Sequence, residues 1–410
     1  MRLLIYEHVS GGGFANEPIP GGVLSEGFGM LRTLISDFKA AGHYITTTLD
    51  SRLARLNPPL GADFIVPVFS SREVQVAIRK VSASADAAHV IAPETEGALQ
   101  SLVESVEHTG VASLNCPAST IGKVVDKVVL QASLKKLGVP TPETIMFSVA
   151  DGVEEIKRAI HAKLNFPLIF KPSNDVGCRG LSVVKNENQV AGAVGKIKRE
   201  SPSKFFLAQE LIKGAAASVS LVSTGSEAVS ISLNRQDVTI GEAEAISSYS
   251  GGLVPFDQPL RPRAFAVAEK IVKSFQDLRG YVGVDLILTE EEAVAIEVNP
   301  RLTTSYIGLR RVVNFNPAQA IVNAVLKREL PTNIQSCDYS YFSKIETPLP
   351  MIDALQKTCE MNEVVSPPFP VSSSGTACAL VSSHGATVKA ARARLREAKK
   401  RVLSTMSRGR

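Results

Sequence analysis

Short apolar runs alternate with helical periodicities over the first 115 residues. Residues 3–6 and the stretches "YITTTLD", "DFIVPVF" and "HVIAPE" have the length and β-branched content of strands. Between them, "SEGFGMLRTLISDFKAAGH" and "ALQSLVESVEHTG" space their apolar residues as helices do. Ser25 fits the N-cap of the first, and Gly42 and Gly110 close the two. This βαβ rhythm predicts a parallel sheet, and ligands on such a sheet bind beyond the carboxyl ends of its strands. "EHVSGGG" and "APETEG" both lie at such ends. Residues 116–140 read as one helix with an apolar stripe, closed by Gly138 and stopped by Pro140 and Pro142. Residues 143–212 alternate short strands with two helices, a small α+β unit suited to act as a mobile lid. Long strands follow to about residue 330. Residues 331–410 read as a C-terminal extension with a strand, "TACALVSS", and a basic helix, without an assigned role.

The pattern is most informative in "GYVGVDLILTEEEAVAIEVNPRLTTSY". Two apolar strands flank a charged turn, so a β-hairpin is expected. A turn centred on Glu291 pairs Asp285 with Glu297 and Gly283 with Asn299. Strand alternation then puts Asp285, Glu297 and Asn299 on one face, and Val284, Leu286, Leu288, Val294, Ile296 and Val298 on the other. Two like charges on one face are costly unless something positive lies between them. Oxygen-only ligation suits Mg²⁺ or Mn²⁺, which take few carboxylates and complete their shell with phosphate oxygens. A merely wet polar face is the other reading of the pair. The following "NPR" tips the balance, because Arg301 adds a planar cation beside the face.

A second candidate is "FPLIFKPSNDVGCRG". Lys171 ends an apolar strand, and a turn-rich loop with Gly177 and Gly180 follows. Glycines let backbone N–H groups approach phosphate oxygens. The order fits neither the P-loop, where lysine follows the glycines, nor GxGxxG. Further on, "FFLAQELI" leads an apolar strand into Gln209, Glu210, Leu211 and Ile212, which could offer backbone groups to an adenine edge.

Composition narrows the class. Lys and Arg number 45 against 40 Asp and Glu, a net +5. Much of that excess lies in the last 22 residues, where "KAARARLREAKKR" reads as a solvated helix face. Tryptophan is absent and aromatics are 6%, so stacking platforms for nucleic acid are not evident. The five cysteines form no CxxC pair, which points to neither zinc nor a disulfide framework. No signal-peptide pattern precedes the first strand and no apolar run reaches the ~18 residues of a membrane span. A cytoplasmic protein without a membrane partner is expected, and a homo-oligomer stays open.

Taken in order, the helix with Lys127, "FKPSNDVGCRG", "QELI", "VGVDLIL" and "IEVNPR" resemble the ATP-grasp superfamily over residues 1 to about 330. The resemblance implies an ATP-grasp fold of α/β and α+β parts. Residues 1–115 would form an N-terminal parallel-sheet (pre-ATP-grasp) domain on the substrate side, 116–330 the ATP-grasp domain, and 331–410 the extension. It implies an ATP-dependent carboxylate–amine ligase working through an acyl phosphate, with ATP and two Mg²⁺ or Mn²⁺ ions. Lys127 and Lys171 correspond to phosphate-binding lysines, residues 173–180 (with Ser173, Gly177 and Gly180) to the flexible phosphate loop, and Glu210 and Ile212 to the adenine hinge. Asp285, Glu297 and Asn299 correspond to metal ligands, and Arg301 to a phosphate or substrate contact. One departure is Ala216, which stands where the family often carries a ribose-binding acid. "IYEHVSGGG", "LSEGFGMLRTLISDFKAAGH" and "EVNPRLTTSYIGLRR" are similar to ligases of the tyramine–glutamate kind, which serve methanofuran assembly. Their type implies glutamate and an amine such as tyramine as substrates. A D-alanine–D-alanine type of ligase and a non-catalytic nucleotide-binding regulator are the alternatives. Since residues 171–180 already serve the phosphates, Glu7, His8, Ser10 and Gly12 are expected to face the small-molecule substrates across the cleft. Residues 247–256, "SSYSGGLVPF", read as a loop whose Tyr249 could close over them, with a plain surface loop as the other reading.

Overall fold

The computed structural model describes residues 1–174, 177–371 and 375–407. Asp175 and Val176, inside the lysine–glycine loop, lie outside the described residues. The predicted βαβ rhythm builds a five-stranded parallel sheet. Its strands are β1 (Arg2–Glu7), β2 (Tyr44–Asp50), β3 (Phe64–Val68), β4 (Ala87–Ile91) and β5 (Ala112–Ser113), in the order β3-β2-β1-β4-β5. β1 and β4 are nearly continuous in burial because helices cover both faces. The helix Gly21–Ala40 starts four residues before Ser25. Extended Pro20 leads into it, and Ser25, one turn inside, donates its hydroxyl to Gly22 O at 2.9 Å. Gly42 follows the helix end at φ +81°, as expected of a left-handed stop.

Residues 116–140 form two helices instead of one, Ala118–Val125 and Lys127–Lys136. Asp126 leaves the helical region at ψ 106° and accepts from Val128 N and Val129 N at 2.9 and 3.0 Å. A carboxylate N-cap is worth about 1 kcal/mol and sits well at the positive helix end, so the chain restarts there. Lys127 therefore stands at the first position of a new helix.

Within 143–212, β6 (Thr144–Ser148), β7 (Leu168–Pro172), β8 (Ser182–Val184) and β9 (Phe205–Glu210) form an antiparallel sheet in the order β6-β9-β7-β8. This unit has its own core, with Phe147, Ile156, Ile160, Phe170, Ile197 and Phe206.

The largest sheet holds β10 (Ala215–Gly225), β11 (Ala228–Thr239), β12 (Ser248–Val254), β13 (Leu278–Leu288), β14 (Ala293–Asn299), β15 (Tyr339–Pro348), β16 (Val364–Ser366) and β17 (Thr376–Gly385). Their order is β14-β13-β10-β11-β12-β15-β17-β16. The C-terminal extension is thus part of the sheet, since β15 pairs with β12 from Val254↔Ser340 to Gly251↔Ser343. "SSYSGGLVPF" is mostly strand β12. Gly251 has φ +141°, and a Cβ there would stand 2.1 Å from Phe342 O, so only glycine lets the two strands approach. The helix Val388–Ser407 covers the far end. Ala391, Leu395, Ala398, Val402 and Met406 turn inward at helical spacing, and its larger apolar side chains each contribute about 2 kcal/mol of burial. Arg394, Arg396 and Lys400 remain outside, the solvated basic face.

Candidate active site

β13 and β14 pair as the alternation predicts, with Asp285 opposite Glu297 and Gly283 opposite Asn299. Thr289 N donates to Glu292 O across the turn. A β-bulge between Asp285 and Leu286 changes one detail. Leu286 pairs with Ala295, so Ile296 is the extra residue. It leaves the core expected for it and lines a cavity with Lys127, Lys171, Leu207 and Gln209. Val284, Leu286, Leu288, Val294 and Val298 are buried as expected.

Asn299 Nδ2 donates to Asp285 Oδ2 at 3.1 Å, and Gln236 Nε2 donates to Asp285 Oδ1 at 3.0 Å. Burial, then the Glu297 charge, pushes the Asp285 carboxyl up to about 7. Burial alone would raise Glu297 too. The charges of Lys127 and Lys171 win, and its carboxyl lies below the usual range. Lys127 Nζ stands 3.4 Å from Glu297 Oε1. Lys171, at the end of β7, is pushed down to about 8 by burial first and by the Lys127 charge second. Three separate segments thus bring their charges to one place: the hairpin, the helix beginning at Lys127 and the four-stranded sheet.

Arg301 meets a partner that the sequence reading did not assign. Its Nε and Nη2 donate to Glu94 Oε1 and Oε2, both at 2.8 Å. Glu94 belongs to "APETEG", noted for its position at a strand end but not for its charge. Burial would lower the Arg301 guanidinium, yet Glu94 holds it above its ordinary value. Gln236 was also missed. Its place two residues after Asn234 on a polar strand face was the available signal.

Around the lysines, one cavity is lined by Glu94, Val124, Lys127, Asn174, Glu297 and Val298, among others. A second shares Lys127 and adds Lys171, Gln209 and Ile296. Gln209 is buried and donates its amide to Thr144 Oγ1 at 2.9 Å. Glu210 ends β9 with its backbone N–H on Glu143 O, and Leu211 and Ile212 follow half-buried. Ser173 lies against Ser203, with 3.1 Å between their hydroxyls. Gly180 has φ +66° and its N–H reaches Glu200 Oε2 at 2.9 Å, while Gly177 has φ +75°. Ala216 lies on β10 opposite Ile287.

The opening loop has its own bookkeeping. Val9–Gly13 coils into a π-type turn, with Gly12 at φ +108°. Both oxygens of buried Glu7 are engaged inside it, by Val9 N at 3.0 Å, Ser10 N at 2.7 Å and Ser10 Oγ at 2.6 Å. A Cβ at Gly12 would meet Val68 at 2.6 Å. Glu7 and Ser10 therefore bond within the loop, while Gly12 lies close against Val68 of β3. His8 is half-buried, with Nδ1 3.1 Å from Tyr6 Oη. Tyr249 is partly buried, and the Lys344 ammonium stands 5.7 Å from its ring centre.

Two carboxylates and an amide on one sheet face suit a hard divalent cation. Among the described residues no three His, Cys, Asp or Glu side chains gather to hold a metal. A coordination shell here would need Asn299 and oxygens brought by a substrate. None of the described helices is long and apolar enough to cross a membrane.

Residues 124–305 match the model of the ATP-grasp domain, and residues 43–121 that of the pre ATP-grasp 3 domain. A tyramine–L-glutamate ligase of Methanocaldococcus fervens is 26% identical over 340 residues, covering 82% of this chain and 99% of the relative. An L-amino acid ligase from Bacillus licheniformis superposes with a TM-score of 0.67 at 16% identity, over 97% of each chain. A biotin carboxylase–β,γ-ATP complex from Campylobacter jejuni superposes with a TM-score of 0.72, also at 16% identity, over 99% of this chain and 95% of the other.

Proposed function

We propose that this chain, which belongs to the ATP-grasp superfamily, is an ATP-dependent ligase that joins a carboxylate to an amine and releases ADP and phosphate. The observation that carries the reading is the opposition of Asp285 and Glu297 on one face, with Lys127 and Lys171 brought to them from two other segments. A substrate carboxylate oxygen attacks the γ-phosphorus, the bond to the bridging oxygen breaks, and ADP leaves. A neutral amine then attacks the acyl carbon of the acyl phosphate. Phosphate leaves with its bonding electron pair, and the nitrogen loses a proton to give the amide. Lys127, Lys171 and the loop backbone at Gly177 hold the phosphates in line. Catalysis here is positioning and electrostatics, so no nucleophilic triad is required. Asp285, Glu297 and Asn299 would hold Mg²⁺ or Mn²⁺, which supplies neutralising charge at phosphate oxygens when bound. Glu94 orients Arg301 as a third cation. Gln209 and the turn after it, against Leu207 and Ile296, offer the adenine an apolar slot. The tyramine–glutamate relative supports glutamate as the acid and an amine such as tyramine as its partner.

The test is phosphate release from ATP and Mg²⁺ with acidic amino acids and a panel of amines, followed by product mass. Release only when an acid and an amine are both present, with a product at the mass of their amide, is expected. A protein that binds ATP but releases no phosphate across the panel would be a nucleotide-binding regulator instead.

A further inference from the structure

Lys344 lies beyond both matched segments, in the strand that the C-terminal extension adds to the large sheet. Alternation along β15 sends Tyr341 and Ile345 into the core under the C-terminal helix. Phe342 goes the other way, into the core shared with the helix Gly21–Ala40. Lys344 shares that side, and its Nζ stands 2.6 Å from Glu26 Oε1 on that helix. Glu26 Oε2 accepts from Thr304 Oγ1 at 3.1 Å, three residues after Arg301. The Lys344 ammonium stands 5.7 Å from the ring centre of Tyr249 on β12. The Tyr249 phenol is raised by burial first and then by Glu26 and Asp285. The Cys178 thiol, in the loop after Lys171, is pushed up to about 11 by burial, with Glu26, Lys344, Asp285 and Glu297 all acting on it.

A partly buried ion pair is a weak way to hold a core together, because desolvation offsets much of its attraction. One turn further along the helix, Gly29 faces Leu380, Ile307 and Val365, so apolar packing holds the helix to the sheet there. Yet the two side chains keep 22% and 20% of their surface exposed. Among the described residues, Lys344 gives one of its three N–H donors, to Glu26. Glu26 accepts one bond on each oxygen, which leaves further lone pairs. The pair presents an anion and a cation side by side, the complement of a zwitterion.

We infer that Glu26 and Lys344 form a subsite for the head group of a zwitterionic α-amino acid, with its ammonium on Glu26, its α-carboxylate on Lys344 and its stem against Tyr249. The inference rests on the ligase reading and narrows its substrate class. An ammonium kept protonated by Glu26 is no nucleophile, and an α-carboxylate neutralised by Lys344 is a poor one. The reacting group is then the side-chain carboxylate, so the acid is a dicarboxylic α-amino acid.

Calorimetric titration of the full chain with Mg²⁺ and a non-hydrolysable ATP analogue tests this, using L-aspartate, L-glutamate and L-2-aminoadipate as probes. One of the three binds, while glutarate and 4-aminobutyrate, each lacking one pole, do not. Lys344→Met weakens the acid about 10- to 100-fold, as loss of a charged hydrogen bond does, and leaves the ATP analogue within twofold. Lys344→Arg retains the acid within a few-fold. The reversed pair, Glu26→Lys with Lys344→Glu, keeps the melting temperature but loses the acid, which a purely structural ion pair would not do. The inference is overturned if Lys344→Met or the reversed pair binds the acid as wild type does. It is also overturned if wild type binds the ATP analogue and none of the three acids. Acid binding without phosphate release would sink the ligase reading and leave the subsite standing.

Discussion

Glu7 is a buried carboxylate and Asp285 a half-buried one, both in apolar strands, and desolvation pushes both upward. Their bonding differs. Glu7 receives three donors from two nearby residues, Val9 and Ser10, so its charge is used to shape the loop that follows β1. Asp285 receives two side-chain amides from distant positions and faces a second carboxylate across the hairpin. Local donors that satisfy a carboxylate completely build structure. Two carboxylates set against each other, with lysines arriving from elsewhere, leave a charge arrangement that a bound cation would complete. The two regions look alike in sequence, since each sets a carboxylate in or at the end of an apolar run. They separate only when the donors are counted.

The largest expected effect is on the hairpin side. Glu297→Ala should lower substrate-dependent phosphate release by about 10²–10³-fold, the scale of removing one transition-state charge contact. The melting temperature should fall by only a few degrees, because the relieved opposition to Asp285 is offset by Lys127 left without its partner. A variant that unfolds while keeping its turnover per folded molecule would make the hairpin a structural feature like the loop. The N-terminal sheet should respond to acid instead. His89 on β4 is 1% exposed, and burial pushes its imidazole down to about 4 from 6.5. A depressed base contributes stability that is present above its unfolded value and lost as pH falls toward the folded one. Denaturant melts between pH 6.5 and 4 should therefore lose about 3 kcal/mol through this group. His89→Leu should flatten that slope, and an unchanged slope would assign it to other groups. Smaller again is Glu7→Ala, which strands buried loop donors and should cost about 2 kcal/mol in denaturant melts. Its KM for ATP should not move. A selective rise in that KM would return the glycine loop to the nucleotide and erase the distinction drawn above.

The hairpin was legible because its register depends on a period of two and one turn, both visible in the chain. Ile296 was not, since the bulge that turns it out of the core leaves no mark in an apolar run. The helix predicted over 116–140 has the right stripe, but Asp126 competes for the backbone as a cap, and propensity alone does not weigh a cap against continuation. The expected parallel strands and the α+β unit at 143–212 rest on local periodicity and match the observed sheets, while the order of the strands was not read from the chain. Glu94 with Arg301 joins positions 207 apart, and Glu26 with Lys344 joins positions 318 apart. Pairings at that range are set by packing of whole layers and carry no local pattern. The same holds for 331–410, whose strands were visible in part while their place in the large sheet was not.

The most direct test of the account is titration of Mn²⁺ in the presence of a non-hydrolysable ATP analogue, followed by electron paramagnetic resonance of the free ion. Wild type and Glu297→Gln are compared, with analogue alone as the baseline. The account predicts that wild type removes Mn²⁺ beyond what the analogue binds, and that Glu297→Gln weakens this uptake at least about tenfold, as loss of a ligand does. Identical titration curves for the two proteins would contradict it.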